Sequence, residues 1–159
     1  MMIYHGSTDI VESPRVILSE KGRDFGPGFY TSDIQQQAEK WAKRQSRYRD
    51  KTDAILNTYE FDENAFGSLN IKVFDGYTIE WLNLIVACRQ NSLSRHEYDI
   101  VIGKITDDDV GETVQSVVDG LAPKDFALKK LTFMSSNNQI CFCTETALKY
   151  ITFISTERL

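Results

Sequence analysis

Apolar residues run almost unbroken through the centre of Tyr98-Asp99-Ile100-Val101-Ile102-Gly103-Lys104-Ile105, which predicts a strand interior to a sheet. Gln139 to Cys143 alternates instead, with Gln139, Cys141 and Cys143 on one face and Ile140 and Phe142 on the other. Shorter strands are expected at Ile3 to His5, ended by Gly6, and at Phe29 to Thr31 and Ile71 to Val73. Ile55 to Phe61 sets Ile55, Asn57, Tyr59 and Phe61 on one side. Helical spacing governs the segments between. Ser32 or Asp33 caps a helix whose Ile34, Ala38, Trp41 and Ala42 share a face, which makes Trp41 a core residue. Thr78 caps a second, with Trp81, Leu82, Ile85 and an inert Cys88 turned inward. Asp107, Asp108 and Asp109 open a third, carrying Val110, Val114, Val117 and Val118. Pro123 opens a fourth through Phe126, Ala127 and Leu131, and Thr144 caps a last one with Ala147, Leu148 and Ile151.

About six strands and four or five helices, without a regular strand-helix-strand rhythm, point to an α+β fold rather than a doubly wound sheet. Residues 7 to 27 mix Ser, Pro, Glu, Lys and Gly around the brief run Val16-Ile17-Leu18, the composition of a surface excursion that can frame a site. A chain of 159 residues is expected to form one domain over 1–159.

Composition narrows the class. Eighteen Lys and Arg against 23 Asp and Glu leave a net charge of -5, which disfavours non-specific nucleic-acid binding. Lys40, Lys43, Arg44, Arg47, Arg49 and Lys51 still cluster, as a solvated helix end or as a substrate or phosphate contact. Three cysteines without a CxxC pair, and two histidines, argue against a disulfide framework and structural zinc. No apolar run is long enough to span a membrane and no secretory signal is legible, so a cytoplasmic location is expected. The aspartate run is explained by helix capping and lacks calcium-loop spacing.

Two polar side chains stand on strands that read as interior. His5 is either a satisfied structural histidine or a ligand-binding one, and Gly6 beside it permits close backbone approach. Gln139 carries the same two readings. Gly26 and Gly28 precede a strand rather than link a strand to a helix, so the usual dinucleotide fingerprint is absent. His96 is expected to pair with Asp99 or Glu97, and Glu145 to serve a helix start.

Taken together, Tyr4-His5-Gly6-Ser7, Asp24-Phe25-Gly26-Pro27-Gly28-Phe29-Tyr30-Thr31, Gln37-Ala38, Trp41-Ala42, His96 to Gly103 with Asp107-Asp108, and Asn138-Gln139-Ile140-Cys141-Phe142 resemble a bacterial family. That family, domain of unknown function 3990, is grouped with the ADP-ribosyltransferase superfamily. Within it the chain is similar to the diphtheria-toxin-like and poly(ADP-ribose)-polymerase-like branch, which implies a split mixed sheet with peripheral helices and an NAD cleft.

The resemblance makes His5 the partner of the adenosine-side ribose, the Gly6 backbone the clamp on the nicotinamide carboxamide, and Tyr30 the ring stacked on nicotinamide. Phe29 and Tyr30 point to opposite faces of a strand, and register decides which faces the cleft. Ser7, Asp24 and Gly26 complete the expected cofactor contacts. Gln139 stands where the branch usually has a glutamate; it can bind a ribose hydroxyl but is neither a general base nor a full countercharge. Asp24 is either a substitute acid or a carboxylate bracing its loop.

The implied activity is mono-ADP-ribosyl transfer with release of nicotinamide, to an unknown protein or small-molecule acceptor. A toxin neutralised by a small antitoxin protein is the implied setting. The alternative is a non-catalytic module that binds NAD or another nucleotide.

Overall fold

The computed structural model describes residues 1–19, 21–50, 53–90 and 96–159. Lys51 of the basic cluster lies outside them.

Seven strands and five α-helices are formed among these residues. The order is β1 (Met2–Ser7), β2 (Phe29–Thr31), α1 (Gln35–Tyr48), β3 (Ile55–Phe61), β4 (Ile71–Val73), α2 (Ile79–Gln90) and β5 (Ile100–Lys104), then α3 (Asp108–Val118), α4 (Lys124–Leu131), β6 (Asn138–Phe142), α5 (Glu145–Leu148) and β7 (Ile151–Arg158). The strands make two sheets, β1-β3-β7 and β2-β6-β5-β4. The first is antiparallel; the second is mixed, because β4 runs parallel to β5 while β6 is antiparallel to both its neighbours. This is an α+β fold with helices on the flanks.

Alternation along the strands separates two cores. Ile3, Tyr59 and Phe61 from the first sheet pack with Phe29, Ile100, Ile140 and Phe142 from the second. On the opposite face of the second sheet, Val101 and Cys141 meet Trp81, Leu82 and Ile85 of α2, Val110 and Val114 of α3 and Leu131 of α4. Burying each of these aliphatic side chains contributes roughly 1.5–3 kcal/mol. Trp81 is fully buried and still donates its indole N–H to the Lys104 carbonyl at 3.2 Å, so its polar edge is satisfied.

Some local expectations are revised. Gly6 does not end β1 but lies within it, because strand and helix are packed backbone to backbone there: a Cβ on Gly6 would sit 2.0 Å from the Ala38 carbonyl oxygen and 2.8 Å from the Ala42 nitrogen. Trp41 is 39% exposed rather than core. The helix after Thr144 stops at Leu148, and Ile151 begins β7, the edge strand on β3. Phe126 is exposed on α4, where Ala127 and Leu131 are buried and Leu128 packs partly buried beside them. The caps at Thr78 and Thr144 form as expected, with Oγ1 accepting from Trp81 N–H and Ala147 N–H at 3.1 Å each, whereas α1 starts after Ile34 rather than Ser32 or Asp33 and α3 after Asp107, neither with a side-chain cap bond.

The excursion between β1 and β2 is pinned by side chains. Asn57, fully buried, accepts from Val11 N–H and donates to the Asp9 carbonyl; Tyr59 donates its hydroxyl to the Val11 carbonyl; Glu145 accepts from Val16 N–H. A fully buried amide on β3 is thereby satisfied by a loop.

Candidate functional site

The two sheets touch edge to edge at one residue pair. Tyr4 and Ser32 exchange both main-chain hydrogen bonds, at 2.8 and 2.9 Å, and form an isolated antiparallel bridge. The next such pair in an antiparallel ladder would be Gly6 with Tyr30. That pair does not form: among the described residues β1 and β2 share no ladder beyond the Tyr4–Ser32 bridge, and the Tyr30 carbonyl instead meets His5 Nδ1 at 2.7 Å. A histidine side chain has taken the place of a ladder bond. By the alternation of the ladder, the Gly6 N–H and C=O face the resulting gap.

A carbonyl only accepts, so His5 carries its proton on Nδ1 and presents Nε2 as a lone pair. Its ring lies 4.5 Å from that of Phe29, tilted by 37°. Burial holds the His5 pKa down to about 4; the Tyr30 carbonyl opposes this and the nearby Arg23 charge adds to it. The unfolded chain therefore takes up this proton near pH 6.5, where the folded one does not. The neutral ring stabilises the native state fully above pH 6.5, and that stabilisation is lost as the pH falls toward 4. The expected loss is about 2–3 kcal/mol in urea unfolding between these limits, and a His5→Gln variant should lack it. Equal pH slopes in the two proteins would mean that the ring stays hydrated.

Phe29 and Tyr30 diverge as strand neighbours must. Phe29 joins His5 and packs edge-on to Tyr59, whereas Tyr30 shares the opposite face with Gln139 and Cys141. The Tyr30 hydroxyl donates to the Gly26 carbonyl at 2.6 Å and accepts from Phe25 N–H at 3.0 Å. Burial, with the neighbouring Cys141 group, pushes its pKa well up, so it is an anchor for the loop and not a proton donor to a ligand. Its ring face is covered by the Arg23 guanidinium, 4.1 Å from the ring centroid.

Gln139 and Asp24 meet. Gln139 Nε2 donates to Asp24 Oδ2 at 3.1 Å, which fixes the amide and leaves Oε1 as its acceptor. Asp24 is saturated: Oδ1 takes Arg89 Nε and Nη2 at 3.0 and 2.6 Å, and Oδ2 also takes the Thr106 hydroxyl at 2.6 Å. Its charge is matched by Arg89, so the geometry is that of a brace between the loop, α2 and β6. Asn138, next to Gln139, holds a buried Oδ1 with no partner among the described residues.

His5 and Phe29 thus stand on one side and Tyr30, Gly26, Asp24 and Gln139 on the other, the two sets meeting at the bond from His5 to the Tyr30 carbonyl beside Gly6. Ser7 ends β1 and its hydroxyl accepts from Asp9 N–H at 3.1 Å. Arg23, Arg89 and Thr106 were not read as site residues in the sequence. Only a lone arginine between Gly22 and Asp24 offered a cue for the first. His96 pairs with neither Asp99 nor Glu97. Its Nε2 bonds the Phe25 carbonyl at 2.8 Å and its Nδ1 accepts from Tyr98 N–H at 3.1 Å, while Asp99 accepts from Asn70 N–H and Thr144. Lys40 and Arg44 of the basic cluster lean on Asp108 at 3.2 and 3.9 Å, exposed pairs of little energetic weight. Among the described residues no group of three or more His, Cys, Asp and Glu is arranged to hold a metal, and no helix is long and apolar enough to cross a membrane.

An α+β domain whose two sheets part beside a histidine and an open glycine edge is the class that fold and site define. A family model described as "Protein of unknown function (DUF3990)" matches residues 1–153, and the chain belongs to that family. No curated protein and no solved structure matches the chain.

Proposed function

We propose that the protein binds NAD in the gap between β1 and β2 and transfers its ADP-ribose to an acceptor with release of nicotinamide. The observation that carries this reading is the ladder bond missing between Gly6 and Tyr30. A main-chain donor and acceptor that face no ladder partner on β2 suit a carboxamide, which needs one of each. The Tyr30 ring already holds a flat cation, the Arg23 guanidinium, so its face suits a cationic ring of similar thickness. The residues therefore fit the group, provided that Arg23 leaves the ring.

Bound NAD would supply a glycosidic bond to a neutral leaving group, with positive charge growing on the ribose as that bond lengthens. His5 Nε2 would accept a ribose hydroxyl while the Tyr30 carbonyl fixes the ring. Gln139, its amide locked by Asp24, would offer Oε1 to a second hydroxyl. It orients the ribose and adds a dipole, where a carboxylate would add a charge.

A second reading is favoured by the same residue. With an amide at Gln139 and the Asp24 charge matched by Arg89, no unpaired carboxylate among those described lies in the gap, as in a module that binds a nucleotide without turning it over. The proposal extends to a toxin restrained by a small antitoxin protein; growth inhibition on expression that persists in His5→Ala would remove that extension.

Titration with NAD, followed by mass detection of nicotinamide and of modified products, separates the readings. Saturable binding weakened about tenfold or more by His5→Ala is expected, on the order of 1.4 kcal/mol. Gln139→Glu is expected to keep binding and to raise nicotinamide release by about tenfold or more. Binding without release in both proteins selects the module, and no binding in the native protein rejects both readings.

A further inference from the structure

A cavity of about 340 Å³ opens on the other side of the 23–28 loop from the gap, lined among others by Phe25, Pro27, His96, Tyr98, Cys143 and Thr144. It shares Gly26 with the candidate NAD site but none of His5, Gly6, Tyr30, Asp24 and Gln139. Cys143 follows the last residue of β6 and shares a face with Cys141, and the two sulfur atoms lie 3.4 Å apart. Cys141 is fully buried, whereas Cys143 is half-buried and reaches the cavity. Any reagent therefore meets Cys143 first.

We propose that Cys143 and Cys141 form a redox-active thiol pair, Cys143 reacting with a small hydroperoxide that enters the cavity and Cys141 closing a disulfide behind it. The pair is unequal in the sense this chemistry needs. Cys143 lies below the ordinary thiol value, its side-chain contact with Cys141 being the largest cause and His96 adding to it against the opposing effect of burial; burial, with the Cys143 contact, keeps Cys141 above. Cys143 is the more readily ionised of the two. His96 is held at the Phe25 carbonyl and the Tyr98 N–H, and against the opposing effect of burial its pKa is raised by Cys143 and by the Phe25 carbonyl.

The steps balance. The Cys143 thiolate attacks a peroxide oxygen, an S–O bond forms as the O–O bond breaks, and the alcohol or water leaves with a proton, giving a sulfenic acid. The Cys141 sulfur then attacks Cys143, the S–S bond replaces the S–O bond, and water departs carrying the Cys141 proton. The peroxide is reduced and the two thiols are oxidised. Residues two apart on a strand have Cα atoms roughly 6.6–6.8 Å apart, at the upper end of what a disulfide spans. The bridge is therefore labile and reopens with a mild dithiol; it is no structural staple.

The test uses the full chain, treated with one equivalent of hydrogen peroxide and read by intact mass and peptide mapping. A loss of two hydrogens assigned to a Cys141–Cys143 bridge, reversed by dithiothreitol, is expected. In Cys141→Ser the sulfenic acid at Cys143 should persist and be trapped by dimedone, and Cys143→Ser should stay unoxidised with circular dichroism unchanged. Because the native protein alone gives the first readout, misfolding of a variant does not remove the test. Oxidation of Cys143 no faster than that of buried Cys88, or a sulfenic acid in the native protein that never yields the bridge, overturns the proposal.

Discussion

Gly6→Ala should destabilise the protein by about 3 kcal/mol or more, the upper end for overpacking, because the methyl would overlap main-chain atoms that cannot rotate away. The added carbon would lie 2.0 Å from the Ala38 carbonyl oxygen, so either α1 lifts off β1 or β1 leaves β3. At roughly 2–4 °C per kcal/mol for a chain of this size, Tm should fall by about 6–12 °C. Gly67→Ala is the matched control, since nothing lies within 4 Å of the position its Cβ would take and it should be near neutral. An unchanged Tm in Gly6→Ala would mean that α1 does not rest on β1. The absence of a side chain at Gly6 is thus explained by the helix on its Cα side, and its main-chain edge remains available to the gap.

Asp24→Ala should cost about 3–5 kcal/mol, since it strips the ion-pair partner from an arginine whose side chain is only 16% exposed. Arg89 would keep Thr106 Oγ1 and Gln115 Oε1 as neutral partners, which do not offset a desolvated charge. Arg89→Ala should cost a similar amount, and the double variant Asp24→Leu with Arg89→Met should recover most of it, because no unpaired charge is left. Guanidinium-chloride unfolding measures all three. Single variants costing less than about 1 kcal/mol would place the pair in solvent, where such pairs carry little weight. Gln139 loses its anchor in the same variant, so any NAD turnover should fall more than binding does.

Much of the sheet was legible because a strand buried on both faces reads as an almost unbroken apolar run, as Ile100 to Ile102 does. Gln139 to Cys143 sorts into the two cores as its alternation requires, and Ile100 and Val101 divide between them. Trp41 fails for a packing reason. Gly6 draws α1 so close that only small residues fit beneath it, and the buried stripe narrows to Ala38, Ala42 and Ser46, leaving Trp41 at its flank. β7 was missed because an edge strand carrying Thr152, Ser155, Thr156 and Glu157 has little apolar rhythm, while Ala147, Leu148 and Ile151 mimic helical spacing. At the candidate site, His5 and Gln139 stood out as polar side chains on interior strands. Arg89 and Thr106 reach Asp24 from 65 and 82 residues away in sequence, a pairing that no local pattern encodes.

The Tyr4–Ser32 bridge also sets how the molecule can breathe. Two main-chain hydrogen bonds form a pivot, and the shared core holds both sheets together on the Phe29 side. Rocking about that pivot strains few contacts near Tyr4 and spreads Gly6 from Tyr30 further along. The bond that crosses the gap is that from His5 to the Tyr30 carbonyl at 2.7 Å, so a side chain latches the two edges, while the Tyr30 hydroxyl carries the 25–26 loop along with β2.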